Sequence, residues 1–218
     1  MAGIPIFTRN ITGNAIASYD WLDLINGAGY KIFYPTETIS GAAASSYVLL
    51  TRARDGETSN CYYGTGDLLH DIDARDVADL DFDIPIAIPC IISGTAYLNF
   101  SHAISGSTNN MLHRYFVITI RHYNAVAGET DLGTVTTLDR VGSLSDYREL
   151  SSIALTSKKF AIGDILRVNV HIWGSNSAAD RGINLYYDPA SLKTLSDADG
   201  RTIGTDFIVD IPFKIDIT

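Results

Sequence analysis

With 218 residues, 46% of them hydrophobic, the chain has room for one sizeable all-β domain with its own core, so neither a metal nor a disulfide framework is required for folding. Its net charge of −9 excludes nonspecific binding to nucleic acid, whose phosphates call for clustered Lys and Arg; Lys158-Lys159 and the spaced Arg52/Arg54 do not form a patch. No apolar run reaches the ~18 residues of a membrane span. MAGIPIFTRN has no charged segment followed by a long apolar one, so synthesis in the cytoplasm without a secretory signal is expected, and no membrane partner.

Residues 1–29 alternate poorly and carry Gly3, Pro5, Gly13, Gly27 and Gly29. They read as an N-terminal arm, with Ser18 able to cap a short helix over Tyr19–Ile25 that Gly27 closes. Ile4, Ile6, Phe7 and Trp21 make this arm too apolar to stay in water, and they are the expected partner-docking residues, on the arm's own domain or on a neighbouring subunit.

Residues 30–218 read as one β-sandwich. Strands are predicted over Tyr30–Tyr34, Tyr47–Arg52, Ala96–Ser101, Thr134–Leu138, Ser152–Thr156 and Ile183–Tyr187. In FDIPIAIPCII, Phe82, Ile84, Ile86, Ile88 and Cys90 fall on one face of a period-two repeat. In RYFVITIRHY, Phe116, Ile118 and Ile120 share a face. In DILRVNVHIW, Leu166, Val168, Val170 and Ile172 point inward, and Arg167, Asn169 and His171 outward; Trp173 takes the outward register. The terminal run sets Phe207, Val209, Ile211, Phe213, Ile215 and Ile217 against Asp210, Pro212, Lys214 and Asp216. Separators are turn-formers: Gly41, Asp55-Gly56, Gly94, Ser105-Gly106-Ser107, Gly128, Gly163-Asp164 and Asp199-Gly200. Asp67–Leu80 has room for a helical turn or two. Many short strands with regular turns predict a jelly-roll-like antiparallel β-sandwich.

Asp-Ile-Pro occurs twice, in Phe82–Ile88 and in Val209–Ile215. Proline cannot donate to a β-ladder, so it belongs at an edge or a bulge. Either the two runs lie side by side as antiparallel neighbours, or the repeat is a coincidence between amphipathic strands.

Chemistry is sparse. His70, His102, His113, His122 and His171 show no metal-ligand spacing, and most of them read as singly exposed residues. There is no Gly-x-Ser-x-Gly elbow, no phosphate-binding glycine loop and no Cys-x-x-Cys. Cys90 reads as a small apolar residue and Cys61 as a loop residue, with a bridge between them open. Asp67, Asp71, Asp73, Asp76, Asp79, Asp81 and Asp83 form an acidic stretch, either a solvated loop or a carboxylate cluster for a hard cation, without the order of an EF-hand. Asp197-Ala-Asp199-Gly200 matches only a fragment of such a loop. Tyr62-Tyr63, Trp173 and Tyr186-Tyr187 could stack on sugars or pack in the core. No enzyme activity, cofactor or metal is expected.

The segment Gly163–Pro189, GDILRVNVHIWGSNSAADRGINLYYDP, the terminal FIVDIPFKIDIT, and the opening GYKIFYP after an apolar stub resemble a group of virion structural proteins of tailed bacteriophages, the jelly-roll capsid decoration or cement proteins. The features that carry the resemblance are the Gly-Asp before a long alternating strand, its Trp-Gly end, the Asp-Pro after a short strand and the IPFKIDI terminus. It covers the last quarter of the chain well and the rest loosely. It implies a trimer or similar oligomer seated on the major capsid protein. The acidic balance, which does not favour contact with packaged DNA, points to the outer surface of the virion; a tail, baseplate or head-fibre component or a host-glycan-binding module stand as alternatives. The low charge and the apolar arm agree with a permanently assembled subunit.

Overall fold

Where apolar and polar residues alternate, the chain forms strands, because successive side chains of an extended backbone point to opposite faces. The computed structural model describes residues 17–18, 28–35, 46–50, 62–65, 73–105, 111–141, 145–176, 182–187, 194–197 and 199–215. The described residues hold no helix. The strands are β1 (Ala17–Ser18), β2 (Ala28–Pro35), β3 (Ser46–Leu50), β4 (Tyr62–Gly64), β5 (Arg75–Pro85), β6 (Cys90–Ser105), β7 (Met111–Asn124), β8 (Gly128–Thr136), β9 (Tyr147–Phe160), β10 (Ile165–Asn176), β11 (Gly182–Tyr186), β12 (Thr194–Ser196), β13 (Thr202–Gly204) and β14 (Ile208–Ile215).

Two sheets face each other. The first is centred on β6, which pairs with β9 along one edge and with β14 and then β11 along the other; β14 continues to β2, and β11 to β4. The second runs β3-β5-β10-β7-β8. Among the described residues, all ladders are antiparallel except β3–β5. β2, the first long strand, lies beside the terminal β14, as the two ends of a jelly roll do. The fold is therefore all-β and jelly-roll-like.

Burial between the sheets follows the predicted faces. Phe116, Ile118, Ile120, Leu166, Val168, Val170, Ile172, Phe207, Val209 and Ile211 are all buried in one core cluster. Phe82 stacks on Phe207 at 4.6 Å, and Phe100 meets Phe116 edge to face at 5.0 Å. Such pairs add directional attraction to the area they remove from water. The sandwich is closed along both sides. On one, Tyr34 and Pro35 of β2 pair with Leu50 and Leu49 of β3. On the other, β8 approaches β9 so closely that a Cβ on Gly133 would lie 2.4 Å from the Ala154 carbonyl oxygen.

Several expectations are corrected. The two Asp-Ile-Pro runs are not neighbours: β5 pairs with β10 and β3, whereas β14 pairs with β2 and β6, in the opposite sheet. Each proline still sits where a missing N–H is tolerated. Pro85 ends β5, and Pro212 lies where the β14–β6 register shifts, facing Gly94. Gly94 is no separator: it is a bulge inside β6 at φ +114°, a conformation that favours glycine. The run from Phe82 to Cys90 is two strands with a link between them, so Ile88 is exposed. The segment predicted to hold a helical turn becomes strand from Arg75 onward, because its partner is the long β10 ladder. Asn169 is on the outer face but buried.

Most of residues 1–29, the predicted arm, falls outside the described residues. The predicted helix over 19–25 and the docking residues Ile4, Ile6, Phe7 and Trp21 lie outside them too. Ala17 and Ser18 pair with Lys31 and Tyr30, adding a short strand to β2.

Candidate functional site

Antiparallel pairing of β10 with β5 and β7 places Ile165 beside Pro85 and Tyr123. Three connections therefore meet at one end of the sandwich: the β5–β6 link, the β7–β8 turn and the β9–β10 turn. Asp164 ties them together. One of its carboxylate oxygens accepts from His122 Nε2 at 2.8 Å and from the Ala161 N–H at 2.8 Å; the other accepts from Asn124 Nδ2 at 2.6 Å. Asn124 Oδ1 in turn accepts from the N–H groups of Val126 and Ala127. The backbone joins the third connection: Ile86 N–H donates to the Asp164 carbonyl, and Gly163 N–H to the Ile86 carbonyl. Gly163 has φ +90°, which a side chain would strain. The Gly-Asp pair of the sequence is thus a clamp. The hydrogen bond from His122, then that from Ala161, holds the buried Asp164 carboxyl down to about 2.

What this clamp holds out to solvent is apolar. Ile88, Val126 and Ile162, one at each connection, are 65%, 97% and 69% exposed. A single exposed aliphatic side chain is ordinary, but three at the rigid tips of one end form a surface suited to burial against another molecule.

The outer face of the second sheet carries the acidic stretch, and here the expected loop is corrected to an ordered ladder. Arg167 Nε and Nη2 bind Asp83 at 2.7 and 2.9 Å, while Nη1 reaches Asp81 at 3.0 Å and Glu129 at 2.5 Å. Asn169 Nδ2 donates to Asp81 at 2.8 Å and also to Asp79. His171 Nδ1 lies 2.7 Å from Asp76. A register shift opposite Trp173 brings Asp76 into this row. Burial, with the charges of Asp79 and Asp83 behind it, raises the Asp81 carboxyl against the pull of Asn169 and Arg167. Hydrogen bonding to Asp83 raises the Arg167 guanidinium. At the end of the row Trp173, in the predicted outward register, stacks on Tyr115 at 5.8 Å and 10°, a flat π surface on which a planar or ring-shaped group could stack. No group of three His, Cys, Asp or Glu suited to a metal occurs among the described residues.

The opposite end of the core is polar. His102 and Arg114 follow the inward registers of Phe100 and Phe116 and are wholly buried. His102 Nε2 lies 3.2 Å from Glu149, which also accepts twice from Arg140. Arg114 donates to the Ser145 carbonyl and lies over the Tyr147 ring; among the described residues its Nε and Nη1 meet no acceptor. Burial pulls His102 down to about 4 and Arg114 to about 10. Burial alone would raise the Glu149 carboxyl, but the hydrogen bonds from His102 and Arg140 together bring it below its ordinary value.

The histidines are therefore not singly exposed. His102 and His122 are buried, and His102, His113, His122 and His171 each face a carboxylate; His70 lies outside the described residues. Cys90 is a free, half-buried thiol raised by burial, while Cys61 is outside the described residues. Asp197 is engaged in its own turn, accepting from the N–H groups of Asp199 and Arg201. The three apolar tips were missed by sequence reasoning. Their signal was an aliphatic residue inside a turn-forming stretch, as in Ala125-Val126-Ala127-Gly128 and Ala161-Ile162-Gly163.

No family model and no curated protein sequence matches the chain. Among solved structures, it is similar to an α-amino acid ester hydrolase at 12% identity and a TM-score of 0.52, over 84% of this chain and 36% of that one. An aminopeptidase from a marine sediment archaeon, Thaumarchaeota archaeon, matches at 11% identity and 0.50, over 84% and 36%. A CocE/NonD family hydrolase from Staphylococcus aureus matches at 10% and 0.46, over 85% and 37%. The chain thus spans little more than a third of the length of each of these three structures. The expectation that the protein is no enzyme is corrected by these matches: its fold recurs within an ester hydrolase and an aminopeptidase, so the missing catalytic motifs do not set catalysis aside. At this identity the likeness carries the fold and nothing finer.

Proposed function

We propose that the protein is a structural component of a tailed-phage virion, a decoration or cement subunit that seats on the major capsid protein through the clamped end of its sandwich. The observation that carries the docking part is the trio Ile88, Val126 and Ile162, exposed together at three braced connections. Burying such side chains stabilises an assembly by about 25 cal/mol per Å² removed from water. The virion part rests on the resemblance of the final quarter of the chain to phage decoration proteins. An acidic subunit on the outside of the shell also stays soluble before assembly. The test is quantitative mass spectrometry of purified particles carrying wild-type protein or the Ile88→Asp/Val126→Asp/Ile162→Asp variant. Hundreds of wild-type copies per particle, lost in a variant that keeps its melting temperature, support the reading. Absence of the wild-type protein from particles overturns it.

A second reading is favoured by the structural matches: the sandwich serves a hydrolytic enzyme, in the way that about a third of the matched ester hydrolase and aminopeptidase chains has this fold. Assays of the protein on α-amino acid esters and aminoacyl anilides test it directly, and turnover above a heat-denatured control would favour this reading over the first.

A further inference from the structure

β14 carries Asp210 in the middle of the outer face of the first sheet, opposite Ile32 of β2 and Tyr97 of β6. Together with Tyr30, these residues line a depression of about 270 Å³. The Tyr30 and Tyr97 rings are 6.2 Å apart and tilted by 39°. Asp210 is half-buried, yet among the described residues its carboxylate has no hydrogen bond or ion pair. Its pKa is raised by burial, and among the described residues no compensating partner acts on it. Burial and then the charge of Asp210 raise the Tyr34 hydroxyl nearby as well. A carboxylate in an apolar setting without a donor is costly, and the cost is recovered when a cation enters.

Elsewhere the same chain answers this combination of groups with a guanidinium, twice. Arg167 lies over the Tyr123 ring at 5.0 Å and grips Asp83 through two nitrogens. Arg140 lies over the Tyr147 ring at 4.2 Å and donates twice to Glu149. At Asp210 a carboxylate again lies near tyrosines, and among the described residues no guanidinium pairs with this carboxylate. Lys31, adjacent to Tyr30 in sequence, is turned to the opposite face, over Phe213.

We propose that this depression is a recognition pocket for an arginine side chain of a partner polypeptide, with Asp210 pairing the guanidinium and the Tyr97 ring, packed against Tyr30, beside it. A planar guanidinium uses ring faces and a carboxylate at once, whereas an ammonium acts as a point charge. Tyr97 is 40% exposed, so the pocket is open. A free small cation would leave much of its surface in water there; an arginine carried by a polypeptide brings further contacts along the sheet. The net charge of −9 draws basic partners toward the protein. The pocket lies on a sheet face, apart from the apolar tips, and does not depend on the virion reading.

The test is NMR titration of the whole protein with acetyl-Gly-Arg-Gly-amide, its lysine counterpart and its citrulline counterpart. The expected result is saturable amide shifts confined to the strand segments around Tyr30, Tyr97 and Asp210 with the arginine peptide. Affinity should fall at least tenfold for citrulline and for Asp210→Asn, and at least threefold for lysine and for Tyr97→Ala. Tyr97→Ala alters a partly exposed side chain and decides the matter if Asp210→Asn fails to fold. No saturable shift, a citrulline peptide that binds as well, or an affinity untouched by either substitution overturns the proposal. Lysine binding equal to arginine overturns its guanidinium specificity.

Discussion

Replacing Asp164 by Asn removes one charge while nearly preserving shape, so its consequences can be worked from the clamp itself. The carboxyl titrates at about 2 in the folded protein against an ordinary 3.8. At 1.36 kcal/mol per unit, that difference is worth about 2 kcal/mol of stability. Asparagine also turns one acceptor into a donor, facing His122, Asn124 or the Ala161 N–H, which adds a mismatched buried group at ~1–3 kcal/mol. The expected total is about 4 kcal/mol at pH 7, a fall in melting temperature of roughly 10 °C for a domain of this size. The sign with pH follows from the depressed pKa. The contribution is complete above the unfolded value, near 4, and is lost as pH falls through about 2. Urea unfolding of wild type and Asp164→Asn, from pH 7 to pH 2, therefore gives stability curves that run parallel above pH 4 and converge below it. A difference between them that stays constant down to pH 2 would refute the clamp as the source of the shift.

Three further outcomes follow from other parts of the fold. Gly133→Ala places a methyl group against the Ala154 backbone and the Ile153 side chain, so calorimetry should show a loss of about 1–3 kcal/mol, as for overpacked sites, with the β8–β9 seam first to exchange its amides. His102 is held neutral with its pKa near 4, so acidification from 6.5 to 4 should cost the wild type about 3 kcal/mol that His102→Gln does not lose, measured by chemical unfolding across that range. Phe82→Ala empties the stack on Phe207 and should cost roughly 3–5 kcal/mol by thermal or urea unfolding, whereas Trp173→Ala on the outer face should cost far less.

Much of this protein was legible in its residue order because period-two alternation is a local property. Leu166, Val168, Val170 and Ile172 face the core as read, since a strand offers each side chain only two sides and water selects between them. Turn chemistry was equally local: Gly128, Gly163 and Gly200 all have positive φ at the connections where a turn was expected. Pairing was not local. Whether the two Asp-Ile-Pro runs touch depends on which ladders close around them, and long-range closure set them in opposite sheets. The same holds for the acidic stretch. Asp79, Asp81 and Asp83 look like a solvated loop until β10 brings Asn169 and Arg167 alongside.

By itself, then, the sequence determined strand, face and turn, because those are settled by the conformational preferences of a few consecutive residues and by their exchange with water. Only the tertiary structure decided that Asp164 would tie three connections into one end, that Ile88, Val126 and Ile162 would stand at it, and that Asp210 would lie beside Tyr97 with no hydrogen-bond or ion-pair partner among the described residues. Each of these is a meeting of residues distant along the chain, and such meetings exist only once the sheets have closed.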